Sequence, residues 1–139
     1  MFIKTNFDLC TGCRLCQLAC TERAFGAYNP RYGLLRISPA AEHLYHFPVV
    51  CNQCQNAYCM QVCPVEAISR NPETGAVLID SKTCISCGLC AKYCPLDVIV
   101  SHPETGKSIK CDLCAGNPCC VKACPTGALV LAGTGGDYA

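Results

Sequence analysis

Cys84-x2-Cys87-x2-Cys90-x3-Cys94-Pro95 puts three thiols within seven residues and a fourth just before a proline. Thiolate is a soft ligand, suited to iron–sulfur clusters and to zinc. The run recurs three times. Cys10, Cys13, Cys16 and Cys20 repeat its spacing without the proline. Cys51, Cys54, Cys59 and Cys63 repeat it with a longer middle gap before Pro64, and Cys111, Cys114, Cys120 and Cys124 repeat it before Pro125. Zinc sites usually show two separated Cys-x2-Cys pairs. Three close thiols instead wrap three corners of one cubane, and the proline turns the chain so that the fourth faces a second. Four runs of four make sixteen thiolates, enough for four [4Fe–4S] clusters. The expected chemistry is one-electron transfer, with these sixteen cysteines as ligands.

The chain has 17 cysteines, so one is left over. Every other run has three residues between its last two cysteines. That rule selects Cys120 and leaves Cys119 as a small buried hydrophobe. The four-residue gap inside the second run is the argument for Cys119 instead. His43, His46 and His102 are expected to be surface or turn residues, since sixteen thiolates are already placed. Tyr45-His46-Phe47-Pro48 reads as packing. No glycine-rich phosphate loop, carboxylate pair or nucleophile constellation is visible, so the chain is not expected to be an enzyme on its own.

Composition narrows the setting. In a secreted chain of 139 residues this much cysteine would suggest a disulfide scaffold. The odd count forbids full internal pairing, and nine residues before Cys10 leave no room for a secretory leader. Disulfide frameworks also have no reason to repeat this spacing. The apolar stretch Ala128 to Ala132 is far short of the ~20 residues that span a bilayer. The expectation is a cytoplasmic protein of an anaerobe. The formal net charge is +1, but each oxidised cubane with its four thiolates adds about −2, bringing a four-cluster form to about −7. Nucleic acid is then an improbable partner, and a basic face on a redox enzyme a better one.

The elements that must hold the thiols are short. Pro72-Glu73-Thr74-Gly75 and Pro103-Glu104-Thr105-Gly106 read as turns, each closing a small β-hairpin. Leu129-Val130-Leu131 reads as a further strand, and Leu34 to Ile37 as its counterpart after the first run, displaced by the insertion Ala24–Tyr32. Residues such as Gly88 to Tyr93, between the second and fourth cysteines, suit a helical turn whose N–H groups can face cluster sulfurs. Gly133 to Ala139 is glycine-rich and reads as a flexible or partner-docked end. The fold class expected is α+β, short hairpins and short helices around four cubanes. The metal-free chain is expected to be mostly unfolded.

Spacing leaves the pairing of runs open. The second and third runs are separated by one hairpin, Ala67–Thr83. If they pair, the first and fourth must pair around them. The rival is sequential pairing, first with second and third with fourth.

The run spacing resembles that of bacterial ferredoxins, in which the fourth cysteine serves a different cluster from the first three. The order of four, with the expanded second run Cys51-Asn52-Gln53-Cys54-x4-Cys59-x3-Cys63-Pro64, resembles the four-cluster electron-transfer subunits of molybdenum and tungsten oxidoreductases and of some hydrogenases. That resemblance spans nearly the whole chain. It implies nested pairing: Cys51, Cys54 and Cys59 with Cys94; Cys84, Cys87 and Cys90 with Cys63; Cys10, Cys13 and Cys16 with Cys124; Cys111, Cys114 and Cys120 with Cys20. It implies two interlocked ferredoxin-like modules in one domain over 1–139, an inner one over 51–100 and an outer one from 1–50 with 101–139. The chain is shorter than subunits of the dimethyl sulfoxide reductase and formate dehydrogenase type. Its size is more similar to the small subunits beside tungsten aldehyde oxidoreductases and benzoyl-CoA reductases. The implied partners are a large catalytic subunit and a redox partner, either a ferredoxin or a flavin or nicotinamide subunit. The alternative is a free polyferredoxin shuttling between enzymes. The first run departs from the pattern, since Thr21 follows Cys20 where proline is common.

Overall fold

Among the described residues every sheet is a pair of strands, and the pairs are tied together by short helices. The computed structural model describes residues 1–42 and 44–133. His43 and most of the glycine-rich tail, residues 134–139, lie outside them. Strands β4 (Ile68–Arg70) and β5 (Val77–Ile79) form one hairpin, and β6 (Val100–Ser101) and β7 (Ser108–Ile109) another. The two Pro-Glu-Thr-Gly segments close them, as expected. Their turns are built alike. Gly75 and Gly106 take φ of +72° and +69°, and their N–H groups donate to the carbonyls of Asn71 and His102 at 2.8 and 2.9 Å. Asn71 Oδ1 and His102 Nδ1 each accept from N–H groups inside the turn. His102 is therefore a turn residue, as the sequence suggests.

Strand β8 (Leu129–Ala132) also forms as expected, but its partner is β1 (Phe2–Thr5), with Phe2 opposite Ala132. Nothing in the cysteine repeat signals β1. The strand expected over Leu34 to Ile37 lies slightly later, as β2 (Arg36–Ala40), paired with β3 (Tyr45–Val49). The physical reason is local. Leu34 and Leu35 are buried, and their N–H groups face the Cys20 thiol, where they favour its ionised form, instead of joining a ladder. β3 holds the aromatic stretch, where Phe47 stacks on Phe7 at 4.9 Å between ring centroids.

Helix α1 (Leu15–Phe25) is three turns long and ends at Gly26 in the left-handed region, whose N–H donates to Glu22. Helices α2 (Tyr58–Gln61), α3 (Leu89–Tyr93) and α4 (Cys119–Ala123) are single turns. α1 packs on α4, and α2 on α3. Two small apolar clusters result. One gathers Ile3, Leu35, Ile37, Val50, Leu113 and Leu129 around Cys16 and Cys120. The other gathers Ala57, Ile68, Val77 and Ile99 around Cys90. Both include cysteines, so these cores are walls of the thiol sites. Among the described residues no helix is long and apolar enough to cross a membrane.

Candidate iron–sulfur cluster sites

The loops that carry the thiols share one backbone device. The residue before the second cysteine of every run is left-handed: Gly12 (φ +74°), Gln53 (+51°), Ser86 (+59°) and Leu113 (+58°). A left-handed residue in such a loop turns successive N–H groups to one side and makes a concavity for anions, including iron–sulfur clusters; in the fourth run positive φ continues through Cys114, Ala115 and Gly116. At Gly12 the form is imposed twice over, because an added Cβ would lie 2.7 Å from the His46 ring. His46 is thus a packing residue on the first cysteine loop.

A second device follows the fourth cysteine. In Cys63-Pro64-Val65-Glu66, Cys94-Pro95-Leu96-Asp97 and Cys124-Pro125-Thr126-Gly127 the fourth residue is left-handed, at φ +53°, +54° and +73°. The turn swings the next N–H back, and Ala67 N–H donates to Cys63 Sγ at 3.2 Å. At Cys124, burial opposes ionisation, but the Thr126 hydroxyl and the N–H groups of Leu129, Thr126 and Ala128 outweigh it and lower the thiol pKa. Cys84 is likewise lowered against burial by N–H donation from Ser86 and Ser108 and by the Lys107 charge.

The helices place the third cysteines. Cys16, Cys59, Cys90 and Cys120 are each the second residue of their helix. Cys119 is the first residue of α4 and so takes the position held by Leu15, Tyr58 and Leu89 in the others. Its sulfur lies 3.6 Å from Cys114 Sγ and 3.4 Å from the carbonyl of Ala19.

Four cavities gather the thiols. Cys10, Cys13, Cys16 and Cys124 line one, with Ile37 and Leu129 among its apolar walls. Cys51, Cys54, Cys59 and Cys94 line the next, with Val77 and Ile99. Cys63, Cys84, Cys87 and Cys90 line a third, with Ile68 and Ile79. Cys20, Cys111, Cys114 and Cys120 line the fourth, together with Cys119. The first three are small and narrow. The fourth is larger, about 400 Å³, because it opens into a cleft past Arg23, His102 and Lys107. Each cavity takes its cysteines from two runs, in the nested combination and not the sequential one.

The donor set fits cubanes. Four soft thiols and converging N–H groups meet at each cavity, and no histidine or carboxylate lines the first three. Among the described residues no three histidine, cysteine or carboxylate side chains converge on a point that one metal ion could occupy. A tetrahedral zinc site, with sulfurs about 2.3 Å from the metal, needs that convergence. A cluster bound through four separate irons needs the thiols spread.

Burial raises several of these thiols. Cys16 and Cys59 are pushed up to about 11 and Cys111 to about 12, chiefly by loss of water, with repulsion from neighbouring thiolates adding to the rise. Cys120 is raised further for the same reasons.

Two residues that the cysteine pattern does not flag join the runs. Gln53 is 1% exposed. Its Oε1 accepts from Val77 N–H at 2.8 Å and Lys110 Nζ at 3.1 Å, and its Nε2 donates to the Cys111 carbonyl at 3.0 Å. One side chain thus pins the second run to β5 and to the fourth run. A glutamine between two ligands is the available signal, because a polar residue inside a thiol loop must satisfy both ends of its amide. Gln53→Ala strands buried partners and should cost about 3 kcal/mol, read as a lower midpoint for thermal loss of cluster absorbance. Arg36 makes a second clamp, donating to the Leu96 and Asp97 carbonyls at 2.7 and 2.8 Å and to Asp97 Oδ2 at 3.1 Å.

Known proteins share this arrangement. The 4Fe-4S dicluster domain matches residues 42–134, which hold the last three runs, and a 4Fe-4S binding domain matches residues 7–28, which hold the first. The chain is 37% identical over 124 residues to the aliphatic sulfonate oxidoreductase polyferredoxin-like subunit of Pyrococcus furiosus, across 89% of this chain and 71% of that one. It is 36% identical over 133 residues to the thiosulfate reductase electron transfer subunit PhsB of Salmonella typhi, across 86% and 69%. Among solved structures it is similar to the active site complex BamBC of benzoyl coenzyme A reductase, at a TM-score of 0.52 and 25% identity, across 92% of this chain and 75% of that one. Repeated thiol runs, N–H-lined cavities and these relatives agree: the chain belongs to the 4Fe-4S dicluster domain family of iron–sulfur proteins.

Proposed function

We propose that this chain is a non-catalytic electron-transfer subunit with four [4Fe–4S] clusters, ligated by the nested sets Cys10/13/16/124, Cys51/54/59/94, Cys63/84/87/90 and Cys20/111/114/120. The observation that carries the reading is that at least four cysteines, drawn from two runs, line each cavity. Packing of α1 on α4 and of α2 on α3 supports two interlocked modules, inner over 51–100 and outer over 1–50 with 101–139. A bound cluster takes up and releases one electron at a time. The protein's part is to exclude water with apolar walls and to direct N–H groups at the sulfurs, both of which tune the potential.

The names of the relatives support an oxidoreductase complex as the setting. The catalytic partner is a large cytoplasmic subunit with a tungsten– or molybdenum–pterin centre. A ferredoxin or a flavin or nicotinamide subunit takes the other end. Phe7, Leu9, Leu15 and Val130, close in sequence to the residues that line the Cys10 cavity, are all exposed. This face is assigned to the catalytic subunit. Native extract should yield the chain co-eluting with a large enzyme on size exclusion, with about sixteen iron atoms per chain. Elution as a free small protein would replace the subunit reading with a shuttling polyferredoxin. About eight irons, or stoichiometric zinc, would overturn the cluster assignment.

A further inference from the structure

Lys110 is 5% exposed. Its Nζ donates to Gln53 Oε1 and to the Cys111 carbonyl, each at 3.1 Å, and to the Val77 carbonyl. All three acceptors are neutral. Among the described residues the one ion pair is Arg36–Asp97, so no described carboxylate balances this ammonium. Burying a charge without a counter-charge is costly. The place of Lys110 supplies the missing anions, because the residue lines two thiol cavities, that of Cys51, Cys54, Cys59 and Cys94 and that of Cys20, Cys111, Cys114 and Cys120. It does not line the other two.

We propose that Lys110 is a potential-setting residue, its buried charge raising the reduction potentials of the two clusters it separates above those of the other two. The inference rests on the four-cluster reading. Reduction adds one electron to a cluster, and a nearby fixed positive charge stabilises the more negative product. The charge faces both sides, since Lys110 lines both cavities. Held by three carbonyl-type acceptors, the ammonium cannot swing away when a cluster changes charge, so it acts as a standing field.

The test is a dithionite titration of the isolated holo-protein followed by electron paramagnetic resonance, comparing the unsubstituted chain with Lys110→Met and Lys110→Arg. Lys110→Met should shift two of the four reduction steps to lower potential by at least tenfold in the equilibrium, about 59 mV for a one-electron couple. The other two should stay in place, and Lys110→Arg, which keeps the charge, should restore both. If Lys110→Met does not fold, Lys110→Gln keeps a donor while losing the charge and should show the same two shifts. No shift, the same shift in all four steps, or an equal effect of Lys110→Arg overturns the proposal. Iron well below sixteen atoms in the unsubstituted protein overturns the four-cluster reading instead.

Discussion

Stripping iron from the holo-protein with a chelator should collapse its far-ultraviolet circular dichroism and its cooperative melting transition together. The strands explain why. The longest has five residues, and every sheet has two strands, whereas isolated two-stranded hairpins are marginal in water. Three of the four helices are single turns, and short helices are marginal without tertiary support. Both apolar clusters are lined by cysteines, so losing the metal removes what they pack around. Left-handed backbone at Gln53, Ser86, Glu66 and Asp97 adds cost that only an ordered site repays. Metal binding then supplies the folding free energy, as in other small metallo-domains. Any residual fold in the metal-free chain should weaken further between about pH 9 and 11. Cys16, Cys59 and Cys111 have raised pKa values when folded. The folded form therefore holds protons that the unfolded chain releases over that range, and stability falls as pH rises. A metal-free chain that keeps a sharp melting transition would show that the polypeptide core suffices.

Cys120→Ser should remove or convert one cluster, lowering iron by about four atoms per chain or giving a three-iron signal, whereas Cys119→Ser should leave iron content unchanged. Both sulfurs line the same cavity, so proximity does not separate them. Helix position does. Cys120 shares the second helical position with Cys16, Cys59 and Cys90. Cys119 points to Cys114 and the Ala19 carbonyl. Iron analysis and electron paramagnetic resonance decide the matter, and the reverse result would hand the ligand role to Cys119.

The legible part of this protein was its chemistry. Spacing of thiols reports directly on ligand geometry, because three cysteines within seven residues leave few ways to surround anything. Both Pro-Glu-Thr-Gly hairpins were readable for the same reason, since proline and glycine restrict φ locally. What stayed hidden depends on distant partners. β1 is four residues with no cysteine and no turn signal, and it exists because Leu129–Ala132 offers it an edge. Leu34 and Leu35 look like strand residues, yet their N–H groups face the Cys20 thiol. Lys110 carries a formal charge that composition assigns to the surface, and only the fold reveals that three acceptors bury it. Gln53 reads as loop filler between two ligands until its three bonds are seen.

The antiparallel pairing of β1 with β8 brings Cys124 beside Cys10, Cys13 and Cys16, and this imposes an order on biosynthesis. The inner cavities have all their cysteines once Cys94 has left the ribosome. The first thiols made must wait for the last one. At about 5–20 residues per second, that interval is roughly 5–20 s. Through it, three neighbouring thiols stand without their fourth partner or the β1–β8 cover. The N-terminal run is therefore the place where oxygen or a stray metal would strike a newborn chain first. A translation pause upstream of Cys124 would leave the inner pair of sites filled and the outer pair open.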